Sequence, residues 1–250
     1  MNGMIFAAGL GTRLRPLTND RPKALVEIKG KPLLEHVIVK MMDAGIERIV
    51  INVHHYADLV EEFLERHCFF HWDIRISDER KCLLDTGGGL LAARELFIPG
   101  EPVLIHNVDI FSDVDLTHLI RFHKEGSRYA TLVTREPAPG RGLRFSGSGL
   151  LKGWENTATG EQKIVDGDFY TSRNYSFCGI HVVSPEFMQN ITGRGVFSII
   201  DEYLFQASVH PIQMYFYEGC FWDLGTPEAV HEAERRLGQK YATPAGGCTL

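Results

Sequence analysis

Apolar and polar positions follow two rhythms that take turns along the first half of the chain. Residues 3–8 form a short apolar run that ends at a glycine, the pattern of a buried strand. From Pro32 the period becomes helical: Leu33, Leu34, Val37, Ile38, Met41 and Met42 share a face, and Gly45 closes it. Residues 46–53 are rich in β-branched side chains and predict the next strand. Residues 58–66 are helical again, with Leu59, Val60, Phe63 and Leu64 on one side and Glu61, Glu62 and Glu65 on the other. A strand over 73–77, a helix over 86–97 that opens on three glycines, a strand over 103–108 stopping at Asp109, and a helix over 116–123 continue the series. Strand and helix trading places at this spacing predict βαβ units. The fold class is α/β: a Rossmann-like, mostly parallel but mixed sheet flanked by helices.

The rhythm changes later. Between 135 and 173 glycine and proline become frequent and the periodicity fades, which predicts loops and a β excursion. Strands are expected at 175–183 and 212–217, with a helix near 197–207 between them. A last amphipathic helix spans 227–237, with Thr226 as its N-cap, and "TPAGGCTL" at 243–250 reads as a loose tail. No repeat or linker interrupts the chain, so residues 1–242 are expected to form a single domain.

Composition narrows the class. With 250 residues, 44% hydrophobic and 23% charged, the chain is long enough for one large core and ordinary enough for a soluble protein. Its 26 lysines and arginines against 32 acids leave a net charge of −6, which argues against nucleic acid as a partner. No apolar run approaches the roughly 20 residues that cross a bilayer, and Met1-Asn2-Gly3-Met4 lacks the start of a signal peptide. A cytoplasmic protein with no membrane partner is expected, a monomer or a small homo-oligomer. The five cysteines are scattered and read as free thiols.

Against this acidic background, "FAAGLGTRLRPLTNDRPKALV" at 6–26 stands out. Gly9 and Gly11 leave backbone N–H groups free to face an anion, and Arg13, Arg15, Arg21 and Lys23 follow. Neither common phosphate loop matches: there is no G-x-x-x-x-G-K-[ST], and Leu14 stands where G-x-G-x-x-G needs its last glycine. In a parallel sheet, ligands gather at the carboxyl ends of the strands, where this loop, "LLDTGGGL" at 83–90 and "NVDIFSD" at 107–113 all fall. A triphosphate brings a divalent ion, which favours one or two carboxylates. Asp109, and Asp223 in "CFWDLGTPEA", are the candidates; either alone reads equally well as a cap or turn residue. Asp113 and Asp115 read as turn and helix-start residues. His54-His55, and His67 with Cys68 and His71, lack the partner set of a metal site. Trp154 reads as a stacking platform or as core.

The stretch "GMIFAAGLGTRLRPLTNDRPKALVEIKGKPLLEHVI" resembles the signature of the sugar-nucleotide pyrophosphorylases, the nucleoside-diphosphate-sugar nucleotidyltransferases. "DTGGGL", "VDIFSD", "YSFCGIHVV" and "FWDLGTPEAVHEAE" match in order, so the resemblance covers nearly the whole chain. It is greatest to the short bacterial N-acetylmuramic acid 1-phosphate uridylyltransferases and weaker to heptose and mannose 1-phosphate guanylyltransferases. The resemblance implies a nucleotidyltransferase (GT-A-like) fold. It also implies transfer of a nucleoside monophosphate from a nucleoside triphosphate to a sugar 1-phosphate, with Mg2+ as cofactor. By it, Ala8, Gly9, Gly11, Thr12 and Arg13 hold the nucleotide phosphates, Lys23 reaches the α-phosphate, and Gly87, Gly88 and Glu79 face the base and ribose. Asp109 and Asp223 stand at the magnesium positions, with Arg13, Lys23 and Asp109 as the catalytic set. Asn107, Glu155, Asn174 and Gly179 belong to the sugar-phosphate side. Two departures stand out: Val108 replaces a frequent glycine, and Asn156 follows Glu155 where the family's longer members carry the lysine of E-K-P. Lys152, Lys163 and Arg173 are the candidate substitutes. Rival expectations are a phosphocholine cytidylyltransferase, a non-catalytic nucleotide-sugar binding domain and, disfavoured by the missing glycine, an NAD-dependent oxidoreductase.

Overall fold

The computed structural model of the chain describes residues 1–67, 69–136, 138 and 140–240. The first half runs β1 (Asn2–Phe6), a small hairpin β2 (Glu27–Ile28) and β3 (Lys31–Pro32), α1 (Leu33–Asp43), β4 (Arg48–Val53), α2 (Ala57–Arg66), β5 (Asp73–Asp78), α3 (Asp85–Ala92) and β6 (Val103–Asn107). Then come β7 (Ile110–Ser112), α4 (Leu116–Glu125), β8 (Ala130–Arg135), β9 (Arg141–Phe145), β10 (Leu151–Asn156) and β11 (Glu161–Ile164). The chain continues with β12 (Arg173–Val183), α5 (Pro185–Gln189), α6 (Ile199–Gln206), β13 (Ile212–Phe216), β14 (Phe221–Asp223) and α7 (Pro227–Lys240).

The predicted βαβ units close into a parallel core. β1 is buried along its whole length because it lies between β4 and β6, parallel to both, with β5 beyond β4. The sheet runs in the order β11-β10-β9-β12-β6-β1-β4-β5, with β8 on β12 and β13 on β8. β12 is antiparallel to β6, β8 and β9, so the sheet is mixed, as expected. Helices cover both faces. Leu34, Val37, Ile38 and Met41 of α1 and Val60 and Leu64 of α2 fill one core with Ile5, Ile49 and Leu104. Leu90 of α3, Phe187 of α5 and Ile199 and Tyr203 of α6 fill the other with Met4, Val50 and Ile105.

Three expectations change. The helix predicted over 86–97 ends at Ala92 and tightens into a 3-10 turn, Arg94–Leu96. The β excursion is an antiparallel meander, β9-β10-β11, that extends the sheet beyond β12. Cys82 and Cys178 are free, but Cys220 is disulfide-bonded, which corrects the expectation of free thiols throughout; such a bond depends on the fold and leaves no mark in spacing. Cys68 and the tail at 243–250 lie outside the described residues. Thr226 caps α7 as expected, its hydroxyl accepting from Ala229 N at 3.3 Å. Among the described residues no helix is long and apolar enough to cross a membrane.

Candidate active site

The carboxyl ends of β1, β4, β5 and β6 point the same way, and a buried polar knot ties three of them together. Asn52 in β4 is 3% exposed; its Oδ1 accepts from Ala7 N at 2.8 Å and its Nδ2 donates to Glu79 Oε1 at 2.7 Å. Glu79 Oε2 in turn accepts from Leu84 N at 3.0 Å. With both oxygens engaged and 2% exposure, Glu79 anchors the entry to α3 and is not open to a base. The glycines of α3 likewise serve packing. Gly87 N and Gly88 N donate to Phe197 O at 2.9 and 3.3 Å, and a Cβ on Gly88 would collide with Gly195 O. Three first-turn N–H groups that an anion could use are thus taken up, those of Gly87 and Gly88 by Phe197 O and that of Thr86 by Asp85 Oδ1.

The loop after β1 stays open where the sequence reading needs it open. Nothing lies within 4 Å of where a Cβ on Gly9 would sit, and Thr12 and Arg13 are exposed. Gly11 takes φ +63° and its carbonyl accepts from Leu14 N at 2.9 Å and Thr18 Oγ1 at 2.8 Å. The turn presses Gly11 on Lys23, whose Cβ would be 3.2 Å from a Cβ there. Lys23 opens a 3-10 turn, and its Nζ forms an ion pair with Asp109 Oδ2. Both side chains are largely buried, 14% and 12% exposed, so water screens this pair far less than a surface one. Asp109 directly follows Val108, which is 2% exposed; the branched side chain points into the core and leaves the site clear.

Asp223 arrives from the far end of the chain. β14 pairs with β7, which sets Asp223 opposite Ile110, and Leu224 N donates to Asp109 O at 2.8 Å. A Cβ on Gly225 would lie 2.8 Å from Asp223 Oδ1 and 2.9 Å from Arg13 Nη2, so the guanidinium and the carboxylate both border this glycine. The protein crowded around Asp223 raises its pKa first, the negative charge of Asp109 raises it further, and Lys23 and Arg13 offset part of both. The residue is nonetheless open to solvent on its outer side. Arg13, Lys23, Asp109 and Asp223 therefore converge on one point. Arg21 does not join them; it is exposed and pairs with Asp20 at 3.0 Å. Asp115 caps α4 through His118 N at 2.9 Å, and Asp113 holds a turn by accepting from Cys220 N at 2.8 Å. Among the described residues no group of three or more histidines, cysteines or acids could hold a metal.

The sugar-side candidates lie along β12 and its neighbours. Gly179 has φ +66°, and a Cβ there would be 2.6 Å from Asn107 Nδ2, so these two touch where β12 meets β6. Further along, Asn174 Oδ1 is buried without a hydrogen-bond partner. Glu155 is 9% exposed and paired with Arg144 at 2.8 Å. Of the candidate replacements for the E-K-P lysine, Lys152 pairs with Asp166 and Asp168 at 2.7 and 3.3 Å, and Lys163 with Asp201 at 2.6 Å; Arg173 is exposed. Trp154 is half-buried, with Lys163 Nζ 5.5 Å from its ring centroid. Sequence reasoning missed Asn52, Arg144 and Gly225. Asn52 left a faint signal as the one polar residue inside "IVINV"; the other two depend on strand pairing.

Comparison with known proteins places the chain in a family. A family model described as "Nucleotidyl transferase" matches residues 2–142. The chain is 33% identical over 242 residues to an N-acetylmuramate alpha-1-phosphate uridylyltransferase of Caulobacter vibrioides, covering 94% of this chain and 96% of that one. It is 30% identical over 233 residues to the mannose-1-phosphate guanyltransferase beta-A of Xenopus laevis, covering 91% of this chain but 62% of the longer relative. Its fold is that of a UDP-glucose pyrophosphorylase solved with UDP-glucose, with a TM-score of 0.75 at 20% identity over 96% of this chain and 98% of the other.

Proposed function

Because the chain belongs to the nucleotidyl transferase family and is a sugar 1-phosphate nucleotidyltransferase, we propose that it uridylylates an amino sugar 1-phosphate. The acceptor is N-acetylmuramic acid 1-phosphate, the donor is UTP, and pyrophosphate leaves. The choice of base and sugar rests on the Caulobacter relative, which this chain matches almost end to end. The guanyltransferase relatives favour a second reading, GTP with mannose 1-phosphate. The observation that carries the reaction class is the convergence of Arg13, Lys23, Asp109 and Asp223 beside an open glycine loop.

In this reaction an oxygen of the sugar phosphate attacks the α-phosphorus in line with the departing pyrophosphate. A phosphate dianion needs no protein nucleophile, so the protein contributes position and charge. Gly9, Gly11 and Thr12 offer backbone N–H groups to the triphosphate, and Arg13 adds its planar fork. Lys23, held by Asp109 from one side, meets the negative charge that grows on the α-phosphate. Asn107, Gly179, Asn174 and Glu155 receive the sugar phosphate.

The residues also fit a magnesium ion. Their donors are hard carboxylate oxygens, and burial first and the Asp109 charge second disfavour the ionised form of Asp223, which a dication held between the two carboxylates would favour. When bound by Asp109 and Asp223, magnesium supplies neutralisation of the phosphate oxygens. Site residues spread from 9 to 223 support reading 1–242 as one functional unit.

Pyrophosphate release tests this reading over five nucleoside triphosphates, each against N-acetylmuramic acid, N-acetylglucosamine, glucose, mannose and heptose 1-phosphates and phosphocholine. The expected best pair is UTP with N-acetylmuramic acid 1-phosphate, by about tenfold or more in kcat/KM. A larger value for GTP with mannose 1-phosphate replaces it with the second reading. No release with any pair contradicts both.

A further inference from the structure

We infer that Arg144 is a positioning residue of the sugar side: it fixes the Glu155 carboxylate as an acceptor for the sugar's hydroxyl or acetamido N–H groups. This rests on the proposed placement of the sugar phosphate near Glu155. No cation follows Glu155 in sequence, since the next residue is Asn156. The fold brings one from the neighbouring strand instead. β9 and β10 pair Gly142 with Glu155 and Arg144 with Gly153. Residues 142 and 144 share a face of the strand, so Arg144 reaches Glu155 diagonally, and Nη1 donates to Oε1 at 2.8 Å.

The guanidinium is held from every other side. Its Nε donates to Ser172 Oγ at 3.0 Å, its Nη2 donates to Ser172 O, and its Cζ lies 4.9 Å from the centroid of the Phe169 ring. Gly153, opposite Arg144, makes room for that ring: a Cβ there would collide with it. The side chains of Arg144 and Glu155 are 18% and 11% exposed, unlike a surface pair of little consequence.

Beside this pair Asn174 fills the place that Gly142 leaves. Gly142 carries no side chain, and a Cβ there would collide with Asn174 Oδ1, the buried acceptor that has no partner. Two acceptors, Glu155 and Asn174, thus border Gly142, the first through strand pairing and the second by contact. They suit a ligand that brings hydrogen-bond donors, such as sugar hydroxyls and an acetamido N–H. An unpaired carboxylate here would repel an incoming sugar phosphate. Paired with Arg144, it accepts without adding net charge.

The test measures KM for N-acetylmuramic acid 1-phosphate and for UTP in Arg144→Ala, Arg144→Lys, Glu155→Gln and the Arg144→Ala/Glu155→Gln double variant, with thermal midpoints alongside. Arg144→Ala and Glu155→Gln are each expected to raise the sugar phosphate KM about tenfold or more, leaving the UTP KM within about twofold. Arg144→Lys recovers part of the loss, and the double variant is no worse than the weaker single. Effects that multiply in the double variant, or a rise in both KM values together, overturn the inference. A normal sugar phosphate KM in Arg144→Ala with a raised one in Glu155→Gln overturns it while leaving the sugar-side reading intact. Normal values in both overturn that reading as well.

Discussion

Gly225 shows how closely the site's charges are fitted. It stands under Asp223 Oδ1 and Arg13 Nη2, and a methyl group there would come within 2.8 and 2.9 Å of them. Arg13 is long and exposed and can yield, so Gly225→Ala should cost placement more than fold. A displacement on the order of 1 Å at such a point lowers turnover up to about a hundredfold. We expect kcat/KM for pyrophosphate release to fall about tenfold to a hundredfold, with the thermal midpoint nearly unchanged; wild-type kinetics would contradict the geometry. At this scale much was legible. Lys23, Arg13, Asp109 and Asp223 stand out as candidates by charge and by their places beside strand ends, although each aspartate alone reads equally well as a cap or turn residue. Glu79, Gly87 and Gly88 were legible as important but not in role, because their partners Asn52 and Phe197 come from distant segments.

Elements with a strong period were legible nearly to their ends. The apolar faces of α1 and α2 and the buried runs of β1 and β4 encode helix, strand and orientation together, because burial imposes their spacing. The meander β9-β10-β11 was legible only as β structure. Glycines at 142 and 153 break its alternation, and those same glycines make room for Asn174 and Phe169. Pairing between distant strands was not legible at all. The three-residue β14 finds β7 more than 100 residues away, and this pairing alone carries Asp223 to Asp109. No local pattern records such a choice of partner. β12 illustrates the same limit: its alternation marks a strand, but not that one strand borders β6, β8 and β9 and so joins the parallel core to the sugar-side meander.

The whole molecule encloses three histidines whose charging it resists. Burial above all pushes His106 and His181 down to about 3 and His123 to about 4, with Lys40, His106 and Arg128 respectively adding to the effect. The unfolded chain titrates these residues near 6.5, so below that pH it binds protons that the folded chain refuses. Stability is therefore full above about pH 6.5 and is lost as pH falls toward 4 and 3. At about pH 5.5 the three groups should make unfolding take up nearly three protons, a slope of about 4 kcal/mol per pH unit in urea titrations. Equal stability at pH 7 and pH 5 would contradict this burial. The central claim is narrower: the pair of Lys23 and Asp109, with Asp223 beside it, performs nucleotidyl transfer. Pyrophosphate release by Lys23→Ala and Asp109→Asn tests it most directly, with thermal midpoints measured to establish that each variant folds. Turnover should fall about a hundredfold to a thousandfold in each folded variant. Turnover within threefold of wild type in both, or about that, would contradict the account.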